Sequence, residues 1–103
     1  MEFIETKVFT KLVTELLSDE EYRSMQNLLV ENPASGDIIS GGGGIRKLRF
    51  AIQGRGKSAG VRTIYYWKKD NHQIYMLVVY PKSKKDNLTA EEKSILRQLV
   101  KEL

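Results

Sequence analysis

Hydrophobic positions in the first part of the chain recur with the period of an α-helix. Apolar side chains spaced by three and four residues predict a first helix with one buried face: Phe9, Leu12, Val13, Leu16 and Leu17. Thr6 is suited to cap the N-terminus of this helix. Phe3 and Ile4 precede the cap and form a short candidate strand.

Two capping boxes predict where two further helices begin. Ser18 followed by Glu21 opens a second helix, which ends at Asn32-Pro33 because the residue before a proline avoids helical dihedrals. Thr89 followed by Glu92 opens the last helix. The apolar stripe of that helix consists of Ile95, Leu96, Leu99, Val100 and Leu103.

Between these helices the hydrophobic period shortens to two residues, as in β-strands. In residues 45–53 the core-facing positions are Leu48, Phe50 and Ile52, and the outward, cationic positions are Lys47 and Arg49. Residues 61–67 are rich in β-forming side chains and predict a second strand. Residues 74–80 are apolar on both faces, so we expect them to form the central and most buried strand.

Glycines and polar residues predict the connections. Residues 37–40 are a short extended piece, residues 41–44 are four glycines in a turn, and residues 70–72 form another turn. Strands joined by short turns pair antiparallel. We therefore predict an α+β fold with a twisted antiparallel β-sheet, two N-terminal helices on one face and the C-terminal helix near the other.

Composition narrows the range of possible functions. The 103 residues suit a single domain, 1–103, and the apolar runs are too short to span a membrane. No cysteine is present and His72 is the only histidine, so we expect no disulfide, no metal site and no cofactor. The acidic N-terminus does not resemble a signal peptide, and we expect a cytoplasmic protein without a membrane partner.

Charge is divided unevenly along the chain. Residues 1–40 carry a net charge of −5, whereas residues 41–69 carry eight cations and no Asp or Glu. The cations alternate with strand-forming apolar side chains, so they share the surface of a folded sheet. Such a surface favours an anionic partner, and nucleic acid is the obvious polyanion.

The segment Ala51 to Ser58 also matches a permissive phosphate-loop pattern. That motif requires a helix to begin at its Lys57-Ser58 end, where the helix amides would hold phosphates. Here the next element is a predicted strand. We therefore reject nucleotide hydrolysis, and we interpret His72 as an exposed turn residue.

The order of elements and several motifs resemble the RelE/ParE superfamily of bacterial toxins, and most closely its HigB-like branch. The motifs are the run from Arg55 to Arg62 with Lys57-Ser58-Ala59-Gly60-Val61 inside it, the strand Ile64-Tyr65-Tyr66-Trp67, and the strand end Tyr80-Pro81-Lys82. The resemblance covers nearly the whole chain. One departure is Asp86-Asn87-Leu88, where RelE proteins carry a tyrosine close to the last helix.

The resemblance implies a ribosome-dependent endoribonuclease of a type II toxin-antitoxin system. Such a toxin cuts mRNA in the ribosomal A site, so the implied partners are the ribosome, mRNA and a cognate antitoxin protein. Charge complementarity favours an antitoxin segment that contacts the basic half. Contact with the acidic helical half remains an alternative.

Metal-free RNA cleavage needs a base, a cationic contact to the phosphate and a proton donor. Without histidines or carboxylates in the basic half, Lys57 is the candidate base, because neighbouring cations lower the pKa of its amine. Arg62 is the candidate phosphate clamp, and Tyr80 or Lys82 would protonate the leaving oxygen. The candidate RNA-binding residues are Arg46, Lys47, Arg49 and Arg55.

Two other functions remain open from the residues alone. One is a non-catalytic inhibitor of DNA gyrase, as in the ParE branch, and it has no need of Lys57 and Arg62 on one concave face. The other is an RNA-binding module that cleaves nothing under any condition.

Overall fold

The computed structural model describes residues 1–52 and 60–103, which form three α-helices and five β-strands. The strands are β1 (Glu2–Glu5), β2 (Asp37–Ile38), β3 (Ile45–Ala51), β4 (Gly60–Lys68) and β5 (Gln73–Pro81). The helices are α1 (Lys7–Leu16), α2 (Asp19–Glu31) and α3 (Ala90–Lys101). A 3₁₀ turn, Lys69–Asn71, joins β4 to β5. The α+β prediction is confirmed.

Side-chain caps start all three helices where the sequence predicts. The Thr6 hydroxyl accepts a hydrogen bond from the Phe9 amide, at 3.0 Å. Both predicted capping boxes form, from Ser18 to Glu21 and from Thr89 to Glu92. These caps satisfy amides that have no partner inside the helix, so each fixes the residue at which its helix begins.

The five strands form one sheet in the order β1-β5-β4-β3-β2. Neighbouring strands pair antiparallel except β1, which pairs parallel with β5. The antiparallel prediction therefore fails only for β1, because a long connection rather than a tight turn links β1 to β5. β4 occupies the middle of the sheet, and β5, predicted to be central, lies next to it. Apolar character on both faces shows that a strand is covered on both sides, not its position among the interior strands.

Both faces of the sheet are covered, as predicted. On one face, α1, α2 and the connection between them supply Phe9, Val13, Leu17, Met25 and Leu29 to a core that includes Tyr65 and Met76. On the other face, Val100 of α3 packs in a second core with Ile45, Ile64, Leu77 and Tyr80. Ile95, predicted to lie in the apolar stripe of the last helix, is 60% exposed, and Leu28 of α2 is 38% exposed.

A β-bulge decides which way the end of β5 faces. The register passes from Ile64 opposite Val78 to Tyr65 opposite Met76, so Leu77 is the extra residue. The alternation of β5 is shifted at this point. Met76 consequently faces the helices α1 and α2, whereas Tyr80 faces α3.

The four glycines form the predicted turn between β2 and β3. Gly41, Gly43 and Gly44 have φ values of 73°, 75° and 109°, which a side chain would disfavour. Amide-to-carbonyl hydrogen bonds from Ile39 to Ile45 and from Gly42 to Ile39, both 3.0 Å, close the turn. In the described parts of the chain, no helix is long and apolar enough to cross a membrane.

Truncation of Leu29 should be costly, because this side chain is fully buried beneath the sheet. We expect Leu29→Ala to lower the free energy of unfolding by about 2–5 kcal/mol. Leu28→Ala, one position away on the exposed side of α2, is the matched control and should cost less than about 1 kcal/mol. Urea denaturation measures both, and equal losses would contradict the packing of α2 described above.

Candidate functional site

Three neighbouring strands bring Arg49, Arg62 and Tyr80 side by side. Arg62 in β4 pairs with Arg49 of β3 on one side and with Tyr80 of β5 on the other. Residues paired across strands carry their side chains on the same face. The three side chains therefore lie on the α3 face of the sheet.

The Arg62 guanidinium is almost fully buried and forms an ion pair with Asp86. Its Nε donates a hydrogen bond of 2.8 Å to Asp86 Oδ1. Asp86 belongs to residues 82–89, which connect β5 to α3, and its side chain is 53% exposed. The connecting segment thus places a negative charge against the middle strand of the sheet.

Lys47 is bound by the same segment. Its Nζ donates to Asn87 Oδ1 at 2.6 Å and to the Asp86 carbonyl oxygen at 3.1 Å, and lies 3.9 Å from Asp86 Oδ2. The prediction that Lys47 lies on an open cationic surface is therefore wrong, since only 8% of this residue is exposed. A buried ammonium needs acceptors, and residues 86–87 supply them.

The Tyr80 hydroxyl also points to Asp86. It donates to the Asp86 carbonyl oxygen at 3.2 Å, and Lys85 Nζ lies 5.0 Å from the centre of the Tyr80 ring. Burial, and then the negative charge of Asp86, raise the pKa of the Tyr80 hydroxyl. Tyr80 therefore keeps its proton at neutral pH and acts as a hydrogen-bond donor.

The pKa of the Asp86 carboxyl is shifted in the opposite direction to that of Tyr80. The hydrogen bond from Arg62, reinforced by the charge of Lys47, lowers the pKa of Asp86 below its ordinary value of 3.8. Asp86 is therefore ionised at neutral pH. In this site the Asp86 carboxylate accepts from the Arg62 guanidinium, and the Asp86 carbonyl oxygen accepts from the Lys47 ammonium and the Tyr80 phenol.

Arg49 and Arg46 lie on opposite faces of β3. Arg49 is half exposed and forms an ion pair of 2.7 Å with Asp37 at the edge of the Arg62 site. Arg46 is the strand partner of Tyr65 on the α1 and α2 face, and its Nη1 donates to the Gly36 carbonyl oxygen at 2.8 Å. The structure therefore brings Arg49 to Arg62 but does not bring Arg46 there.

Lys82 is the remaining predicted residue that the structure describes, and it directly follows β5. Lys82 has an exposed side chain, and its amide donates to the Gly60 carbonyl oxygen at 2.9 Å, which places the residue beside the start of β4. Lys57 and Arg55 fall outside the described residues. Their assigned roles stay predictions.

Asp86 and Asn87 are the site residues that sequence reasoning missed. They are 24 to 40 positions away from Arg62 and Lys47, so no local spacing connects them. One signal was present, an Asp-Asn pair in the polar segment that follows the strand end Tyr80-Pro81. This pair also lies where the sequence departs from the RelE pattern.

The arrangement is suited to anions rather than to metal ions. Within residues 1–52 and 60–103, no three side chains among His, Cys, Asp and Glu lie close enough to hold a metal ion. Donors from three strands instead converge on one residue, Asp86: Arg62 donates to its carboxylate, and Lys47 and Tyr80 donate to its carbonyl oxygen. A phosphate oxygen offers the same kind of acceptor to the same donors.

These features define a small α+β protein with a cationic cluster at one end of its sheet. The family model described as "RelE toxin of RelE / RelB toxin-antitoxin system" matches residues 1–103. The chain therefore belongs to the RelE toxin family. Membership implies a toxin role and a cognate antitoxin partner.

The Arg62–Asp86 ion pair should make stability depend on acidic pH. Because the folded-state pKa of Asp86 is lowered, the pair stabilises the fold above the unfolded-state pKa and loses this contribution as pH falls through the folded value. We expect the stability difference between the wild type and Asp86→Asn to be constant near pH 7 and to shrink below pH 3.8. Thermal unfolding across pH measures it, and a difference that grows on acidification would contradict the assignment.

Proposed function

We propose that this chain is the toxin of a type II toxin-antitoxin system that cleaves mRNA in the ribosomal A site, without a metal or cofactor. Within the RelE/ParE superfamily we place it with the HigB-like branch. The observation that carries the proposal is the alignment of Arg49, Arg62 and Tyr80 across three strands. This row offers two cations and a protonated phenol to one stretch of RNA backbone.

The proposed reaction is an attack of the RNA 2′-oxygen on the adjacent phosphorus. The 2′-hydroxyl loses its proton to the Lys57 amine as the new P–O bond forms. The bond from phosphorus to the 5′-oxygen breaks, and the leaving oxygen takes a proton from Tyr80 or Lys82. The products are a 2′,3′-cyclic phosphate and a 5′-hydroxyl.

Arg62 has the central electrostatic role in this proposal. Negative charge builds on the phosphate oxygens in the transition state, and a guanidinium held in a site with little water stabilises it strongly. The sheet holds Arg62 rigidly, because its backbone pairs with strands on both sides. Arg49, which is half exposed at the rim, contributes to binding of the RNA backbone.

A dependence on the ribosome fits the groups available. Tyr80 holds its proton firmly, and a lysine base is only partly neutral at pH 7. Weak acid and base groups are effective only when the attacking oxygen, the phosphorus and the leaving oxygen are already aligned. The ribosome would supply that alignment by fixing the mRNA codon.

Arg62→Ala tests the proposal directly. We expect mRNA cleavage on programmed ribosomes, measured by toeprinting, to fall about 10²–10³-fold, as for loss of one donor to a developing anion. Lys11→Ala, which removes an exposed cation from α1, is the control and should cleave at the wild-type rate. Full cleavage by a folded Arg62→Ala protein would refute the role of Arg62, and absence of cleavage by the wild type would refute the function.

We further propose that the antitoxin contacts the cationic end of the sheet. Since Lys47 is buried, the exposed Arg49 is the better residue for a test of this contact. We expect Arg49→Glu to weaken the complex by at least about tenfold, because opposite potentials guide and orient association. The comparison variant is Glu20→Lys in α2. If only Glu20→Lys weakens binding, measured by calorimetry, the antitoxin binds the helical half.

A further inference from the structure

Asp86 accepts hydrogen bonds from three side chains of the proposed site. Arg62 donates to its carboxylate, while Lys47 and Tyr80 both donate to its carbonyl oxygen. Each donor comes from a different strand. One residue of the β5–α3 segment therefore sets the positions of three groups on β3, β4 and β5.

The contact with Arg62 uses only one edge of the guanidinium. Among the described residues, Nε is the one side-chain nitrogen of Arg62 that donates a hydrogen bond, and its acceptor is Asp86 Oδ1. An arginine held through Nε keeps both Nη nitrogens as a fork for a second anion. That fork matches two oxygens of a phosphate.

Asp86 also relieves repulsion between the cations. Arg62 and Arg49 are direct strand partners, and Lys47 lies on the same face of β3. Lys47 Nζ is 3.9 Å from Asp86 Oδ2, so one carboxylate faces both buried cations. Without that charge, the guanidinium and the ammonium would repel each other and move towards solvent.

We propose that Asp86 is a positioning residue for the proposed reaction. Its carboxylate fixes the Arg62 guanidinium through Nε, so that the Nη nitrogens of Arg62 meet the scissile phosphate. This inference rests on the proposed function. It assigns Asp86 no contact with RNA. The carboxylate acts through Arg62, and secondarily through Lys47 and Tyr80.

A positioning role for Asp86 predicts that loss of its carboxylate lowers the cleavage rate without lowering the affinity for RNA. Loss of the carboxylate removes no cation and raises the net positive charge, so binding to an anionic complex should not weaken. The cleavage rate should fall, because a displacement of about 1 Å in a catalytic group can cost about 100-fold. A residue needed only for stability would lower the melting temperature without this separation.

The experiment compares Asp86→Asn and Asp86→Ala with the wild type on programmed ribosomes. The cleavage rate is measured at saturating toxin with ordinary mRNA. Affinity is measured with an mRNA that carries 2′-deoxynucleotides in the A-site codon and cannot react. Asp70→Asn, in the exposed turn between β4 and β5, removes the same charge at the far end of the sheet and is the control.

We expect cleavage by Asp86→Ala to fall about 100-fold and cleavage by Asp86→Asn to fall about 10-fold, because the amide oxygen can still accept from Nε. Affinity for the unreactive complex should be unchanged or higher in both, and Asp70→Asn should match the wild type. Melting temperatures show that each variant is folded.

Three results would overturn the inference. Unchanged cleavage by a folded Asp86→Ala protein would refute the role of Asp86 and leave the proposed function intact. Faster cleavage by either variant would show that Asp86 competes with the phosphate for Arg62. Absence of wild-type cleavage, with or without binding, would refute the proposed function itself and the positioning role with it.

Discussion

Burial of a positive charge inside a protein is costly unless acceptors surround it, and both Arg62 and Lys47 are buried in the sheet. The acceptors come from a single short segment, residues 86–87, which lies across the end of the sheet just before α3. That requirement connects the fold to the site. The segment must lie where it does for the two cations to be tolerated, and its position also helps to bring α3 onto the second face.

The same contacts explain why this region is electrostatically balanced rather than simply cationic. Residues 41–69 contain no acid, yet Asp86 and Asp37 from other parts of the chain each pair with an arginine of this region. The balance matters for the proposed function. A site that presented only unpaired cations would bind any nucleic acid, whereas a partly neutralised one depends more on geometry.

Rigidity is the other property that the sheet contributes. Arg62 lies on the middle strand, and Tyr80 reaches the same face only because the bulge at Leu77 shifts the alternation of β5. In a regular strand, Tyr80 would share a face with Met76, among the side chains under α1 and α2. The bulge therefore places the phenol beside the guanidinium, which supports the proposed chemistry.

Local patterns in the sequence were sufficient to predict the helices and most of the strands of the sheet. The caps at Thr6, Ser18 and Thr89 act within four residues, so their spacing alone predicts where the helices begin. The alternation in residues 45–53 predicted β3, which spans Ile45–Ala51 in the structure, and the resemblance to RelE toxins was carried by residues close together in sequence. Arg62 and Tyr80 were identified in this way, although their roles remain proposals.

Only the tertiary structure decided the electrostatic character of the site. The pairing of Arg62 with Asp86 and of Lys47 with Asn87 joins residues 24 and 40 positions apart, and no periodic pattern encodes a contact of that kind. The parallel pairing of β1 with β5 likewise joins residues far apart in the chain, with Glu2 opposite Gln73. The bulge in β5 lies within the β4–β5 hairpin, and the period of two in the sequence does not predict it. Local sequence specifies which residues are charged, but long-range packing determines which of those charges are buried together, because burial depends on every element that covers them.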